Sequence, residues 1–285
     1  MPYSFNFDAE PFIDVDVVAS GMGPAVVPLI LRWDRDDRTV HSQGTAFCLA
    51  GFTSGDALFA TARHVVAELA GQEERVEPFL LIPNARDPSN LIGVQITQVR
   101  LASTYSDVAL LVARPSEAVV PVVTPKILQL TFAPPRVGEN TMALGYEVPA
   151  LGQPGVIKVS YELKAARGEV VEVHERRRGG LVDFPSFRTT GLYKHSMSGG
   201  PIIDTDGLVV GIISTGYETS EPPPIGYGAC TGALAELTVE LTNDESVVEE
   251  LSVARLADLG ILGAGGIELR LDRDEKGVTL SWPTE

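Results

Sequence analysis

The sequence predicts an all-β protein made of two groups of about six strands. Three observations carry this. Short runs of valine, isoleucine and leucine recur between glycines and prolines, which number 28 and 20 in 285 residues, the texture of many strands joined by turns. The runs fall into two groups, each about 100 residues long, which suggests two packed barrels. An apolar content of 44% supplies enough core for two such units.

In chain order, residues 1–20 read as an extended arm. The first group, residues 21–119, holds AVVPLILRW and GTAFCLAG. DALFATARHVV follows, a strand running into a short helical turn, and then PFLLIP, LIGVQITQVRL and DVALLVA. The second group, residues 120–235, opens with the run VVPVVTPKILQL. It continues through TMALGYE, VIKVSYELKAARGEVVEV, GLVDF, the stretch around Ser198 and GLVVGIIS, and ends near YGACTGAL. Residues 236–285 are an extension of different character. Thr242 and Glu245 stand at capping-box spacing, with Val247, Leu251 and Ala254 at helical spacing after them, so a helix is expected there. IELRL and VTLSW alternate about Asp274-Glu275-Lys276-Gly277, which reads as a hairpin.

The net charge of −16 argues against sequence-independent binding to nucleic-acid phosphates and favours basic partners. About half of it lies in residues 236–285, with twelve acids and four bases. The two cysteines, Cys48 and Cys230, read as buried free thiols, with a bridge between them as the alternative. The opening MPYSFNFDAEPFIDVD is acidic and has no basic region before an apolar run, unlike a signal peptide. Val17 to Leu31 is too short to cross a bilayer and contains Pro24 and Pro28. The expectation is a cytosolic protein with no membrane or nucleic-acid partner.

The stretch Lys194-His195-Ser196-Met197-Ser198-Gly199-Gly200-Pro201 precedes IIDTDGLVVGIIS, two buried strands about a tight turn. It presents Ser198 on a rigid hairpin. A serine hydroxyl is a poor nucleophile at neutral pH. It needs an adjacent base, an anion to orient that base, and N–H donors aimed at the developing oxyanion. His64 in FATARHVV and Asp107 in SDVALLVA are candidates, 43 residues apart, with Ser198 a further 91 on. The order His, Asp, Ser would assemble between the two groups of strands.

TARHVV, SDVALL and SMSGGPIID together resemble the histidine, aspartate and serine motifs of the trypsin-like (chymotrypsin-fold) serine peptidases, HtrA-like bacterial members included. The resemblance spans roughly residues 22–235 and three motifs in the family's order. It implies two six-stranded β-barrels of chymotrypsin type with the active site between them. It implies His64 as general base, Asp107 as its orienter and Ser198 as nucleophile, with an oxyanion hole from the backbone N–H groups of Ser196 and Ser198. Ser214-Thr215-Gly216 matches the strand whose backbone pairs with substrate, and Leu192 the floor of the primary specificity pocket. Leu192 there implies an apolar or small side chain, and Gly216 an open pocket wall. The chain departs from the family in two places. Ser196 stands where glycine usually turns its N–H inward, so it is expected to hold an uncommon backbone conformation at a cost on the order of 1–3 kcal/mol. Met197 replaces the aspartate that pairs with a freed N-terminus, so activation by N-terminal cleavage is not expected.

Competing readings are plainer. Ser198 could be a turn serine, His64 a helix-end histidine and Asp107 a strand-start cap. The apolar run after Asp107 favours a buried anion, which needs a partner. His195 reads as an exposed loop residue, or as an alternative base; His41 and His174 read as strand-edge or loop residues. Four histidines and two separated cysteines give no metal-ligand spacing. Asp204-Thr205-Asp206-Gly207 lacks the later ligands of a Ca²⁺ loop and reads as a hairpin turn. Glu175 to Gly180 reads as a solvated hairpin tip, or as a protease-sensitive or partner-binding loop. The expected function is a serine endopeptidase, cofactor-free, acting on a protein or peptide substrate, with an activating protein partner as one possibility. The alternative is a latent or degenerate peptide-binding module.

Overall fold

The computed structural model describes residues 12–14, 25–34, 39–51, 56–67, 78–84, 87–103, 105–114, 126–147, 162–174, 182–219, 223–242, 248–262, 270–274 and 277–281. Two closed six-stranded antiparallel barrels form its body. The first comprises β2 (Val26–Asp34), β3 (Thr39–Gly51), β4 (Ala57–Thr61), β5 (Phe79–Asn84), β6 (Asp87–Leu101) and β7 (Ala109–Arg114), closed in the order β2-β3-β4-β7-β6-β5. A four-residue helix, α1 (Arg63–Val66), follows β4.

The second barrel comprises β8 (Asn140–Glu147), β9 (Glu162–His174), β10 (Ser186–Thr189), β11 (Pro201–Ile203), β12 (Val209–Tyr217) and β13 (Ile225–Cys230). Its order is β9-β10-β13-β12-β11-β8, and the β8–β9 pairing closes it. From the N-terminal arm, β1 (Phe12–Asp14) pairs with β9 at Ala166, Ala165 and Lys164.

The strand period of two sorts the side chains into layers. Val27, Leu29, Ala46, Cys48, Phe59, Leu80, Leu111 and their neighbours fill the first barrel. Ala143, Val170, Phe187, Met197, Ile202, Ile213 and Cys230 belong to the core of the second. The alternate residues of β2, β3, β4 and β7, such as Val26, Phe47, Leu58 and Leu110, share a third cluster with Met142, Leu144, Tyr146 and Ile212. This cluster is the seam between the barrels. It explains why β4 is buried at every position and β7 at all but the last, reading as unbroken apolar runs. Cys48 and Cys230 lie in separate barrel cores as free thiols. Burial pushes the Cys48 thiol up to about 12, leaving it protonated and unreactive.

Several strand expectations need correction. VVPVVTPKILQL contributes no strand among its described residues; Leu130 alone bridges to Val209, and 119–125 lie outside the described residues. In place of GLVDF, the strand begins at Ser186. The helix expected from Thr242 is instead a strand hairpin, β14 (Thr238–Thr242) with β15 (Val248–Ser252). The cap is Ser252, whose hydroxyl accepts from Arg255 N–H (3.1 Å) to start α2 (Val253–Asp258). Val239, Leu241, Val253 and Leu256 bury into the seam cluster, and Arg100 of β6 pairs with Glu240 at 2.7 Å. The described part of the extension up to Leu262 is thus packed onto the barrels. The final hairpin pairs β16 (Arg270–Asp274) with β17 (Gly277–Ser281). The run Glu175–Gly180 lies outside the described residues.

Candidate functional site

His64, Asp107 and Ser198 meet at the seam. His64 is the second residue of α1, where backbone N–H groups have no partner within the helix. Asp107 supplies one: its Oδ1 accepts the His64 N–H at 2.8 Å. Its Oδ2 lies 2.8 Å from His64 Nδ1. One carboxylate therefore grips both the backbone and the ring of the histidine. The Nδ1 proton faces the anion, which leaves Nε2 as the acceptor. The His64 side chain is 49% exposed and that of Asp107 only 8%. The ring is thus half exposed while the anion stays out of water.

Ser214 completes the shell of Asp107. The register of β12 on β13 runs from Ile213 opposite Gly228 to Thr215 opposite Tyr227, so Ser214 is the extra residue of a β-bulge. Freed from the ladder, its Oγ donates to Asp107 Oδ2 at 2.6 Å. Its carbonyl oxygen accepts from Ser198 Oγ at 3.1 Å. Among the described residues, that is where the Ser198 hydroxyl bonds, not to the His64 ring. A chain of contacts therefore runs His64–Asp107–Ser214–Ser198, with the Ser198 hydroxyl bonded to the Ser214 carbonyl.

The Ser198 turn between β10 and β11 is tied to the first barrel. Thr45 of β3 donates its N–H to the Ser198 carbonyl (2.9 Å) and its Oγ1 proton to the Ser196 carbonyl (3.0 Å). Thr45 Oγ1 in turn accepts from Tyr146 N–H at 3.0 Å. Gly199 has φ +89°, and a Cβ there would collide with Thr61 Oγ1 and the Thr45 carbonyl, so glycine is required. Ser196 has φ +71° and is the sole non-glycine in the left-handed region among the described residues. Its hydroxyl folds back onto the His195 carbonyl. The Ser198 N–H has no partner among the described residues, leaving it available to a bound group. Met197 is fully buried in the core of the second barrel and anchors the turn there.

The structure places Thr215 and Gly216 on β12 just beyond the bulge, and Leu192 half-buried in the β10–β11 loop. The wall at Gly216 is not open. A Cβ on Gly216 would lie 2.6 Å from the Tyr193 carbonyl oxygen and 2.8 Å from its Cβ. Thr45, Tyr193 and the bulge were not legible beforehand. Thr45 reads as an ordinary strand residue, and its role depends on a contact 151 residues away.

Other candidates fall elsewhere. His195 is exposed, and His174 Nε2 lies 3.4 Å from the Glu172 carboxylate. His41 is on β3, its side chain outside the described residues. Asp204 makes the β11–β12 turn, its Oδ1 accepting from Asp206 N–H (2.9 Å) and Leu208 N–H (2.8 Å). Among the described residues no group of three or more histidines, cysteines or acids is placed to hold a metal, and no helix is long and apolar enough to cross a membrane.

A family model described as the trypsin-like peptidase domain matches residues 44–212. Comparison with curated protein sequences gives no match. Among solved structures, the active form of the Rv3671c protease from M. tuberculosis is 18% identical, with a TM-score of 0.52 over 92% of this chain and 96% of that one. The inactive form of Rv3671c protease is also 18% identical, with a TM-score of 0.50 over 87% and 97%. Deg5 matches at 18% identity and a TM-score of 0.49, covering 72% and 83%. The matched span holds His64, Asp107 and Ser198 and is more than half of the chain, which belongs to the trypsin-like peptidase domain family.

Proposed function

We propose that the chain is a serine endopeptidase that hydrolyses peptide bonds through Ser198, His64 and Asp107. The observation that carries this reading is the continuous hydrogen-bonded path from His64 through Asp107 and Ser214 to the Ser198 hydroxyl. To react, Ser198 leaves the Ser214 carbonyl and turns its proton to His64 Nε2. Its Oγ then bonds to the substrate carbonyl carbon, and the oxyanion is received by the N–H groups of Ser196 and Ser198. The imidazolium, held by Asp107, returns the proton to the departing amine, leaving an acyl-serine. A water deprotonated by His64 attacks that ester, and the proton passes back to Ser198 Oγ as the acid leaves.

The substrate is a protein or peptide, seated along Ser214-Thr215-Gly216. The two unbridged thiols fit a reducing, cytosolic setting. A second reading, a latent or peptide-binding form awaiting a partner, draws on the parked Ser198 hydroxyl and on Ser196 at φ +71°. Labelling with a fluorophosphonate probe separates them. The wild type is expected to label, and Ser198→Ala and His64→Ala are not. A folded wild type that stays unlabelled would reject the enzyme reading at rest in favour of the latent one.

A further inference from the structure

Tyr193 immediately follows Leu192, the residue aligned with the pocket floor, and it is only 5% exposed. Its surroundings are glycine on three sides. A Cβ on Gly191 would lie 2.8 Å from the Tyr193 ring carbon Cε1. One on Gly226 would lie 2.6 Å from Cε2 and 2.8 Å from Cδ2, and one on Gly216 would meet its Cβ and carbonyl oxygen. The ring is therefore sandwiched between Gly191 of the β10–β11 loop and Gly226 of β13, with Gly216 of β12 closing on its stem. The hydroxyl end is fixed as well, 2.8 Å from Thr189 Oγ1. Removal from water pushes the phenol above its ordinary pKa, so it stays neutral and fit for that bond. The enclosing segments, 191–193, 214–216 and 226, lie beside the nucleophile turn, where a substrate side chain would be expected to enter.

Resting on the endopeptidase reading, we infer that Tyr193 fills the subsite for the side chain preceding the scissile bond, so that the chain accepts only glycine or alanine there. The three glycines admit the protein's own aromatic ring rather than one from the substrate. The stem of Tyr193 and Gly216 are already packed together, so a substrate side chain cannot pass between them. Selection is then against large side chains by exclusion, not for small ones by contact.

The test compares acyl-peptide substrates that differ only in glycine, alanine, leucine or phenylalanine before the scissile bond, on wild type, Tyr193→Phe and Tyr193→Gly. Wild type and Tyr193→Phe are expected to prefer alanine over phenylalanine by about 100-fold in kcat/KM, since a ring cannot enter an occupied site. Tyr193→Gly is expected to narrow that ratio at least tenfold, an estimate from the same excluded-volume argument. Phenol serves as a probe independent of turnover. It should fill the vacated space and meet Thr189, raising the Tm of Tyr193→Gly but not of the wild type. A wild type that cleaves after phenylalanine or leucine as fast as after alanine overturns the inference, whether or not the glycine variant folds. So does a folded Tyr193→Gly with an unchanged ratio and no response to phenol. Phenol rescue of the variant without Ser198-dependent turnover or labelling in any protein would leave Tyr193 as the occupant while rejecting the endopeptidase reading.

Discussion

His64 and Asp107 come from the first barrel, and their bonds hardly leave it. The carboxylate meets the histidine backbone and ring within one barrel, and among the described residues only Ser214 reaches in from the other. The loop at 190–200 comes from the second barrel and is held by both, with Met197 sunk in its own barrel's core. Thr45 of the first barrel holds two of its carbonyls, Ser214 holds its hydroxyl, and one of its residues sits at φ +71°. The His64–Asp107 pair is thus held mostly within one barrel, while the Ser198 turn is anchored in its own barrel and tied across the seam by Thr45. The contrast teaches where the site is easily perturbed. Long-range contacts help set the geometry of the turn, so changes outside His64, Asp107 and Ser198 should act on it first.

The largest expected effect comes from breaking the His64–Asp107 pair. Asp107→Asn keeps the size of the side chain but removes the anion that orders the histidine tautomer. The labelling rate at Ser198 should fall on the order of 10⁴-fold with the fold retained. A fall of less than tenfold in fluorophosphonate labelling would mean that the base is ordered by something other than Asp107.

Thr45→Val tests the tie across the seam. Valine matches threonine in shape and removes only the hydroxyl, leaving the Ser196 carbonyl and the Tyr146 N–H without that partner in a buried seam. Two such groups should cost about 2–4 kcal/mol in denaturant unfolding. The displaced turn should label ~10²-fold more slowly. Loss of stability at an unchanged labelling rate would show that the turn holds its shape without the first barrel.

How legible these two halves were follows the same line. Motifs that act locally could be read: TARHVV places a histidine in a short helix, SDVALL an acid before a buried strand, and SMSGGP a serine on a tight turn. The strands of the first barrel were also plain, because apolar runs bounded by turn residues are local properties. Thr45, Tyr193 and the Ser214 bulge were not, since each is defined by what another segment brings to it. GLVDF misled because its apolar texture carries no strand over its described residues 182–184, whereas the strand Ser186–Thr189 buries one large apolar residue, Phe187, and is created by its neighbours β9 and β13. The expected helix at Thr242 failed similarly. Its capping spacing was real as a pattern, but pairing of Val248–Ser252 with Thr238–Thr242 won, and Ser252 took over the cap.

A smaller effect is expected at Ser196. Glycine reaches φ near +70° without a Cβ penalty, so Ser196→Gly should relieve about 1 kcal/mol, less what the hydroxyl bond to His195 contributes. The turn would keep its shape, and labelling should be at least as fast as in wild type. Ser196→Val should move the other way, because a β-branched residue is poorly tolerated at positive φ. If glycine slows labelling, the serine hydroxyl rather than the backbone holds the oxyanion donors in place.

The smallest effect serves as a control on the same barrel. Asp204 closes the β11–β12 turn with two backbone N–H bonds on one oxygen, so this turn, unlike the nucleophile turn, is satisfied locally. Burial is the chief reason its carboxyl is raised above the ordinary 3.8, with the charges of Glu139 and Asp206 adding to it and the two N–H bonds opposing. An acid raised on folding stabilises the fold while protonated, and that contribution is lost as pH rises through its folded value. At neutral pH the ionised group is therefore a net cost. Asparagine would keep the oxygen that accepts both N–H groups and discard the charge. Asp204→Asn should thus gain in Tm relative to wild type as pH goes from about 4 to 7, with no change in labelling at Ser198. A labelling rate that moves with this substitution would mean that the two turns of the second barrel are coupled, and the sensitivity assigned to the seam would belong to the whole barrel.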